Sequence, residues 1–331
     1  AEQLDLLFAD MLRERRRRRR LRLSAWSSVA ASILLLVAAG AWFLTDRQPR
    51  EAESPLARVQ PSVSADEIVV ITENGQRFTP EQVDKEVVRQ VSAGKLEYRD
   101  TLPPASGDVV GNEVRVPTHT IVVPRGKTFE LRLSDGTYVL LSPSSSLTYP
   151  VRFDTVSARE VALDGEAYFE VAKSSNRFVV NTQRTKLRVY GTVFNVLSRP
   201  DAPDETVLLE GSVGVTAQNV RDAKETVLRP GDKSTIDSAG HVAVAQVDLA
   251  EYQAKRDGFL LFNGKTVREV IRTLELYYDA CFVEESTDLD DREFVFSFKR
   301  DESLRDALDV IEAVADVQFT ITGKEVRVRS K

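Results

Sequence analysis

The chain has 331 residues, 42% hydrophobic and 29% charged, which is enough for two folded domains and excludes wholesale disorder. Its net charge of -6 is unevenly spread: residues 1–22 hold eight Arg against four acids, a charge of +4, so the remainder carries -10 and lacks the basic surface that nucleic-acid binding needs. One cysteine, Cys281, and two distant histidines, His119 and His241, exclude an intrachain disulfide and a Cys-based metal site and argue against a His-ligated metal or a Ser-His-Asp triad, so no cofactor is expected.

Residues 1–22 form an arginine-rich stub in which Leu4, Leu7, Phe8 and Met11 recur at helical spacing. The chain starts with Ala rather than Met, which predicts an incomplete or processed N-terminus. Residues 23–44 carry no charge. At about 1.5 Å rise per residue they match a hydrocarbon core of about 30 Å and predict a transmembrane helix. Trp26 and Trp42 sit near its ends, where indole favours the headgroup interface. Arg15, Arg16, Arg17, Arg18, Arg19 and Arg20 precede it, and holding them at an anionic leaflet is worth roughly 1 kcal/mol each. That orientation puts the N-terminus in the cytoplasm and the C-terminus outside. A cleaved signal peptide, with Ala38-Ala39-Gly40-Ala41 as its small-residue site, and a buried core helix, which would not need six arginines before it, are the competing readings.

Residues 45–65, with Pro49, Pro55 and Pro61, read as a linker. Residues 66–250 read as one all-β domain, a β-sandwich or β-roll, of short apolar runs separated by Asn74-Gly75, Asp135-Gly136, Asp164-Gly165, Glu210-Gly211 and Pro230-Gly231. Those dipeptides suit tight hairpins. A helix is expected near Thr79–Val91, where Thr-Pro-Glu makes a good start. Residues 255–331 read as a small α+β domain of duplicated βαβ units, with helices at Thr266–Tyr278 and Ser303–Ala315, the latter opened by Ser303 and Asp306 in the manner of a capping box. The last strand, Lys324–Arg329, reads as a sheet edge, which makes Val326, Arg327, Val328 and Arg329 a candidate partner-binding strand.

Other groups read as ordinary surface or core. Cys281 reads as a small buried residue at a strand start. Glu166 and Glu170 lie four residues apart in a strand, about 13 Å, beyond the range of a glycosidase carboxylate pair. Gly191-Thr192 reads from its residues as a strand or turn in which glycine avoids a clash.

Several segments in order resemble the periplasmic domain of FecR-type transmembrane anti-sigma regulators, Bacteroidetes branch. They are Val123-Pro124-Arg125-Gly126-Lys127, Leu131 to Thr137, Ser146 to Pro150, Val161 to Val171, Val189 to Val196 and Leu209 to Val213. Phe259, Phe262, Leu276-Tyr277-Tyr278-Asp279 and the Ser303–Leu308 helix start are similar to the short N-terminal domain shared by secretins and TonB-dependent transducers. The resemblance implies a single-pass protein of the bacterial inner membrane with its C-terminus in the periplasm, not an enzyme. Its implied partners are the signalling domain of an outer-membrane TonB-dependent transporter, the lipid bilayer, and an extracytoplasmic-function sigma factor reached through cytoplasmic residues beyond those given. No direct nucleic-acid contact is implied. The resemblance also implies that Gly191-Thr192 is a self-cleavage motif working by N-to-O acyl shift. Two other classes compete with the relay: a membrane-anchored periplasmic glycan- or envelope-binding module, and a structural subunit of an envelope machine.

Overall fold

Period-2 alternation puts one set of apolar side chains on a single strand face, and that face must be covered, so the short runs pair into layers. The computed structural model describes residues 67–83, 88–92, 94–98, 109–110, 113–114, 116–153, 158–286, 289 and 292–331. All of them belong to one unit, Pro55–Lys331. The expected stub at 1–22, transmembrane helix at 23–44 and linker at 45–65, with Arg15 to Arg20, Trp26 and Trp42, lie outside the described residues. Among the described residues no helix is long and apolar enough to cross a membrane.

The described residues are mostly β-sheet, with few helices. One layer runs Arg77–Phe78, Val69–Thr72, Thr118–Val123, Ser145–Pro150, the first half of Arg159–Glu170, Phe178–Asn181, Thr185–Val189, Val213–Ala217 and Thr226–Leu228. The other runs Val88–Ser92, Lys95–Tyr98, Phe129–Arg132, Tyr138–Leu141, the second half of Arg159–Glu170, Val193–Ser198, Asp204–Glu210, Asp232–Ile236 and Val242–Gln246. Both share one core, to which the first contributes Ile121, Leu147 and Phe178 and the second Phe129, Leu141, Phe169 and Phe194.

Strand Arg159–Glu170 belongs to both layers. It changes sheet at Gly165, whose φ is +101° and where a Cβ would lie 2.6 Å from Ser145 Cα. Only glycine fits there. The hairpin expected at Asp164-Gly165 is therefore a strand passing between layers. Glu210-Gly211 and Pro230-Gly231 do the same, since the strands on either side of each pair in different layers. Asn74-Gly75 and Asp135-Gly136 do join paired strands. Among the described residues between Thr79 and Val91 there is no α-helix; Pro80–Gln82 form a 3-10 turn, capped reciprocally by Thr79 and Gln82. The following strand, Val88–Ser92, pairs with Lys95–Tyr98, so sheet pairing overrides a favourable helix start.

Helix α1 (Ala250–Arg256) leads into a second core built on Leu260, Phe262, Leu274, Phe296, Leu308, Ile311 and Val326. Helices α2 (Val267–Tyr277) and α3 (Leu304–Val314) start at Thr266 and Ser303, whose side chains accept the backbone N–H of Glu269 and Asp306. Strands Phe259–Lys265 and Phe294–Lys299 pair with each other. The other three form a separate sheet in which Glu325–Ser330 is central, parallel to Cys281–Glu284 and antiparallel to Val317–Thr322. This corrects the expected edge. The backbone of Val326, Arg327, Val328 and Arg329 is paired on both sides, and Val326 and Val328 are fully buried. The outer strands of that sheet are Cys281–Glu284 and Val317–Thr322.

Candidate functional site

Along Gly165–Glu170, Ala167 and Phe169 point into the β core, so Glu166, Tyr168 and Glu170 face the other way. That outer face is covered by the segment leading out of the β domain: Leu249 and Tyr252 pack on Leu140, Tyr168 and Leu209. The Lys255 ammonium pairs with Glu166 Oε1, which also accepts a 3.1 Å hydrogen bond from Asn195 Nδ2. Arg256 Nε lies 2.6 Å from Glu170 Oε1. Burial alone would push the Glu166 carboxyl up, but the adjacent ammonium holds it below the usual range. Burial likewise opposes the charge on Lys255, and Glu166 more than restores it. Partial burial beside this pair pushes Tyr252 up to about 12. Both carboxylates are thus committed to cations of α1.

A second set of contacts joins the domains at the end of α2. Arg125 Nη2 donates to the carbonyls of Glu275 and Ala280, at 2.9 and 3.1 Å, and its Nε lies 3.3 Å from Asp279 Oδ1. The Gly126 N–H donates to the Leu276 carbonyl at 2.7 Å. Tyr277 and Ser142 hydroxyls lie 3.5 Å apart. Lys324 and Arg125 hold the Asp279 carboxyl low. Both contact sets border a cleft of about 330 Å³ whose walls include Glu166, Leu197, Arg199, Lys255, Leu276 and Tyr277. Among the described residues no group of His, Cys, Asp and Glu could hold a metal ion.

Thr192 is buried between strands; its hydroxyl donates to the Ser212 carbonyl at 3.1 Å, and its own carbonyl accepts the Val171 N–H at 3.0 Å. A Cβ on Gly191 would lie 2.9 Å from Lys173 Cα, so glycine is required by close approach. Cys281 starts the expected strand but is exposed, contrary to its reading as a buried residue, because its side chain lies on the outer face of an outer strand.

Sequence reasoning missed α1 and the pairs it makes. Asp248, whose carboxylate accepts the Ala250 N–H, followed by Ala, Glu, Gln and Lys, was the available signal for a helix start. Arg125 and Leu276 to Asp279 were visible only as separate segments, and the structure brings them together.

The model of the FecR protein family matches residues 119–214, and the model of the FecR C-terminal domain matches residues 259–328. Two crystal structures of a candidate anti-sigma factor from Parabacteroides distasonis are similar to this chain. Each has a TM-score of 0.54 and 24% identity, with 99% of its own chain covered and 64% and 65% of this one. At that identity the likeness establishes the fold alone. No curated protein matches the chain.

Proposed function

The chain belongs to the FecR protein family, and we propose that it is a transmembrane anti-sigma regulator carrying a signal from an outer-membrane TonB-dependent transporter to an extracytoplasmic-function sigma factor. The observation that carries this reading is the pairing of a FecR segment with a FecR C-terminal segment in one chain, each folded around its own core. The uncharged run 23–44 and the arginines before it support insertion in the bacterial inner membrane, with the stub in the cytoplasm and both cores in the periplasm. The sigma factor is then met on the cytoplasmic side of that membrane. In the receiving domain the outer strands Cys281–Glu284 and Val317–Thr322, not Glu325–Ser330, are the places where a partner strand can add to the sheet.

Co-purification tests the reading. The full chain is expected to capture the transporter's isolated signalling domain, and a chain lacking residues 255–331 is expected to lose it. Equal capture by both chains, or recovery of a polysaccharide or a multimeric ring in place of transporter and sigma factor, would overturn it.

The same reading includes maturation at Gly191-Thr192. Thr192 Oγ1 attacks the Gly191 carbonyl carbon, the C–N bond breaks as the nitrogen takes the hydroxyl proton, and water hydrolyses the ester. In the intact chain that hydroxyl is held by Ser212, so the step requires it to turn away. Purified protein should run as two fragments on a denaturing gel and Thr192→Ala as one band near 37.0 kDa. A single band at that mass before substitution removes the idea.

A further inference from the structure

The last carbonyls of a helix have no partner within it and must be capped by something else. In α2, the Leu274 carbonyl accepts the Tyr278 N–H, and the chain then turns at Asp279, whose φ is +49°. The next two carbonyls, Glu275 and Leu276, accept from Arg125 and from the Gly126 N–H, both on the turn after strand Thr118–Val123 of the other domain. Arg125 continues to the Ala280 carbonyl and to the Asp279 carboxylate, placing a guanidinium at the negative end of the helix dipole. The cap of α2 is therefore supplied in trans. Beyond it, the Phe282 N–H donates to Glu275 Oε1 at 3.1 Å, so the same last turn holds the strand Cys281–Glu284.

We propose that the Val123–Lys127 turn is a docking socket for the end of α2, and that the C-terminal domain has two coupled states. In one it is docked, with the last turn of α2 capped and strand Cys281–Glu284 held in place. In the other it is undocked, with that turn frayed and the strand loosened. A partner that pairs with Cys281–Glu284 acts on Glu275, hence on the hydrogen bonds of Arg125, hence on a strand in the middle of the β domain. Because coupling is reciprocal, docking state sets partner affinity as much as the partner sets docking. Only the identity of that partner rests on the proposed relay; the coupling itself does not.

The distinguishing measurement is hydrogen exchange on the full chain, with substitutions on opposite flanks of the interface. Arg125→Ala removes cap donors and is expected to speed exchange across residues 276–284 by roughly tenfold, the loss associated with hydrogen bonds to a charged group. Lys255→Met touches no atom of the cap but breaks the pair with Glu166, and is expected to speed exchange over the same residues. Amides of α3 should stay at their wild-type rates in both. If α3 also loses protection in Lys255→Met, Glu166→Gln, which keeps the shape of the side chain, decides in its place. Wild-type exchange over 276–284 in Arg125→Ala, or in the deciding variant on the other flank, overturns the proposal. A chain that captures no transporter domain but passes this test refutes the relay and leaves the coupling standing.

Discussion

Phe169→Ala is expected to destabilise the β domain by about 4 kcal/mol, the range for deleting a fully buried aromatic side chain. Phe169 has no exposed surface, stacks on Phe194 with centroids 5.1 Å apart and planes 11° from parallel, and meets Phe178 edge-on at 6.3 Å. Phe178 belongs to the first layer and Phe194 to the second, so one side chain ties together the interior of both. It also sits on the strand that changes layer at Gly165, where collapse into the cavity is resisted by pairing on both edges, with Tyr138–Leu141 and Val193–Ser198. The chain's two Trp residues, Trp26 and Trp42, lie outside the domain, so far-UV circular dichroism in urea is the suitable probe. Loss of less than about 1 kcal/mol would mean the layers do not share a core at this position. The same substitution in Phe194→Ala should be less than additive, by about 1 kcal/mol, because the stacked pair is already broken.

What the sequence made legible follows from how local each determinant is. Helices α2 and α3 could be read because their caps, Thr266 with Glu269 and Ser303 with Asp306, and their apolar faces lie within a few residues. The β character of the first domain was legible from alternation, but the partner of each strand was not. A turn dipeptide reports that the chain reverses or bends, and says nothing of whether the next strand joins the same sheet. At Asn74-Gly75 it does; at Glu210-Gly211 it crosses to the other layer, and nothing in those residues distinguishes the cases. Strand Glu325–Ser330 was misread for the opposite reason. Alternation of Val326 and Val328 with Arg327 and Arg329 looks the same at an edge and at the centre, because the heads of Arg327 and Arg329 reach Glu325, Glu285 and Gln318 at the surface either way.

The interface between the domains was the least legible feature, and it is where the functional reading concentrates. Arg125 and Glu275 are 150 positions apart, and Glu166 and Lys255 are 89 apart. A guanidinium on an exposed turn gives no local sign that it caps a helix elsewhere. Local reading could only set Glu166 and Glu170 aside as a catalytic pair on their spacing, and gave them no partner. The structure gives each a cation from α1 and makes them docking groups.

Stability should fall by about 2 kcal/mol between pH 7 and pH 5, out of about 3 kcal/mol in all, through His119 alone. Its imidazole sits partly buried beside two tyrosines: the Tyr98 hydroxyl shares a 2.6 Å hydrogen bond with His119 Nδ1, and the Tyr149 hydroxyl lies 3.1 Å from that of Tyr98. Burial lowers the His119 pKa from 6.5 to about 4. Protonating the ring would strand a charge beside the two buried tyrosines. The unfolded chain takes up the proton as pH drops through 6.5 and the folded chain does not until about 4. The contribution of the neutral ring is therefore complete above 6.5, declines as pH falls, and is exhausted below 4. The carboxylates held low in the fold, Glu166, Glu269 and Asp279 among them, lose their contribution under more acid conditions, and Asp164, pushed up by burial, works in the opposite direction, so a histidine variant assigns the fall. His119→Gln keeps an acceptor for Tyr98 and should flatten the urea midpoint across that pH range. An equal slope in both proteins would assign the acid sensitivity elsewhere and place the His119 ring in water.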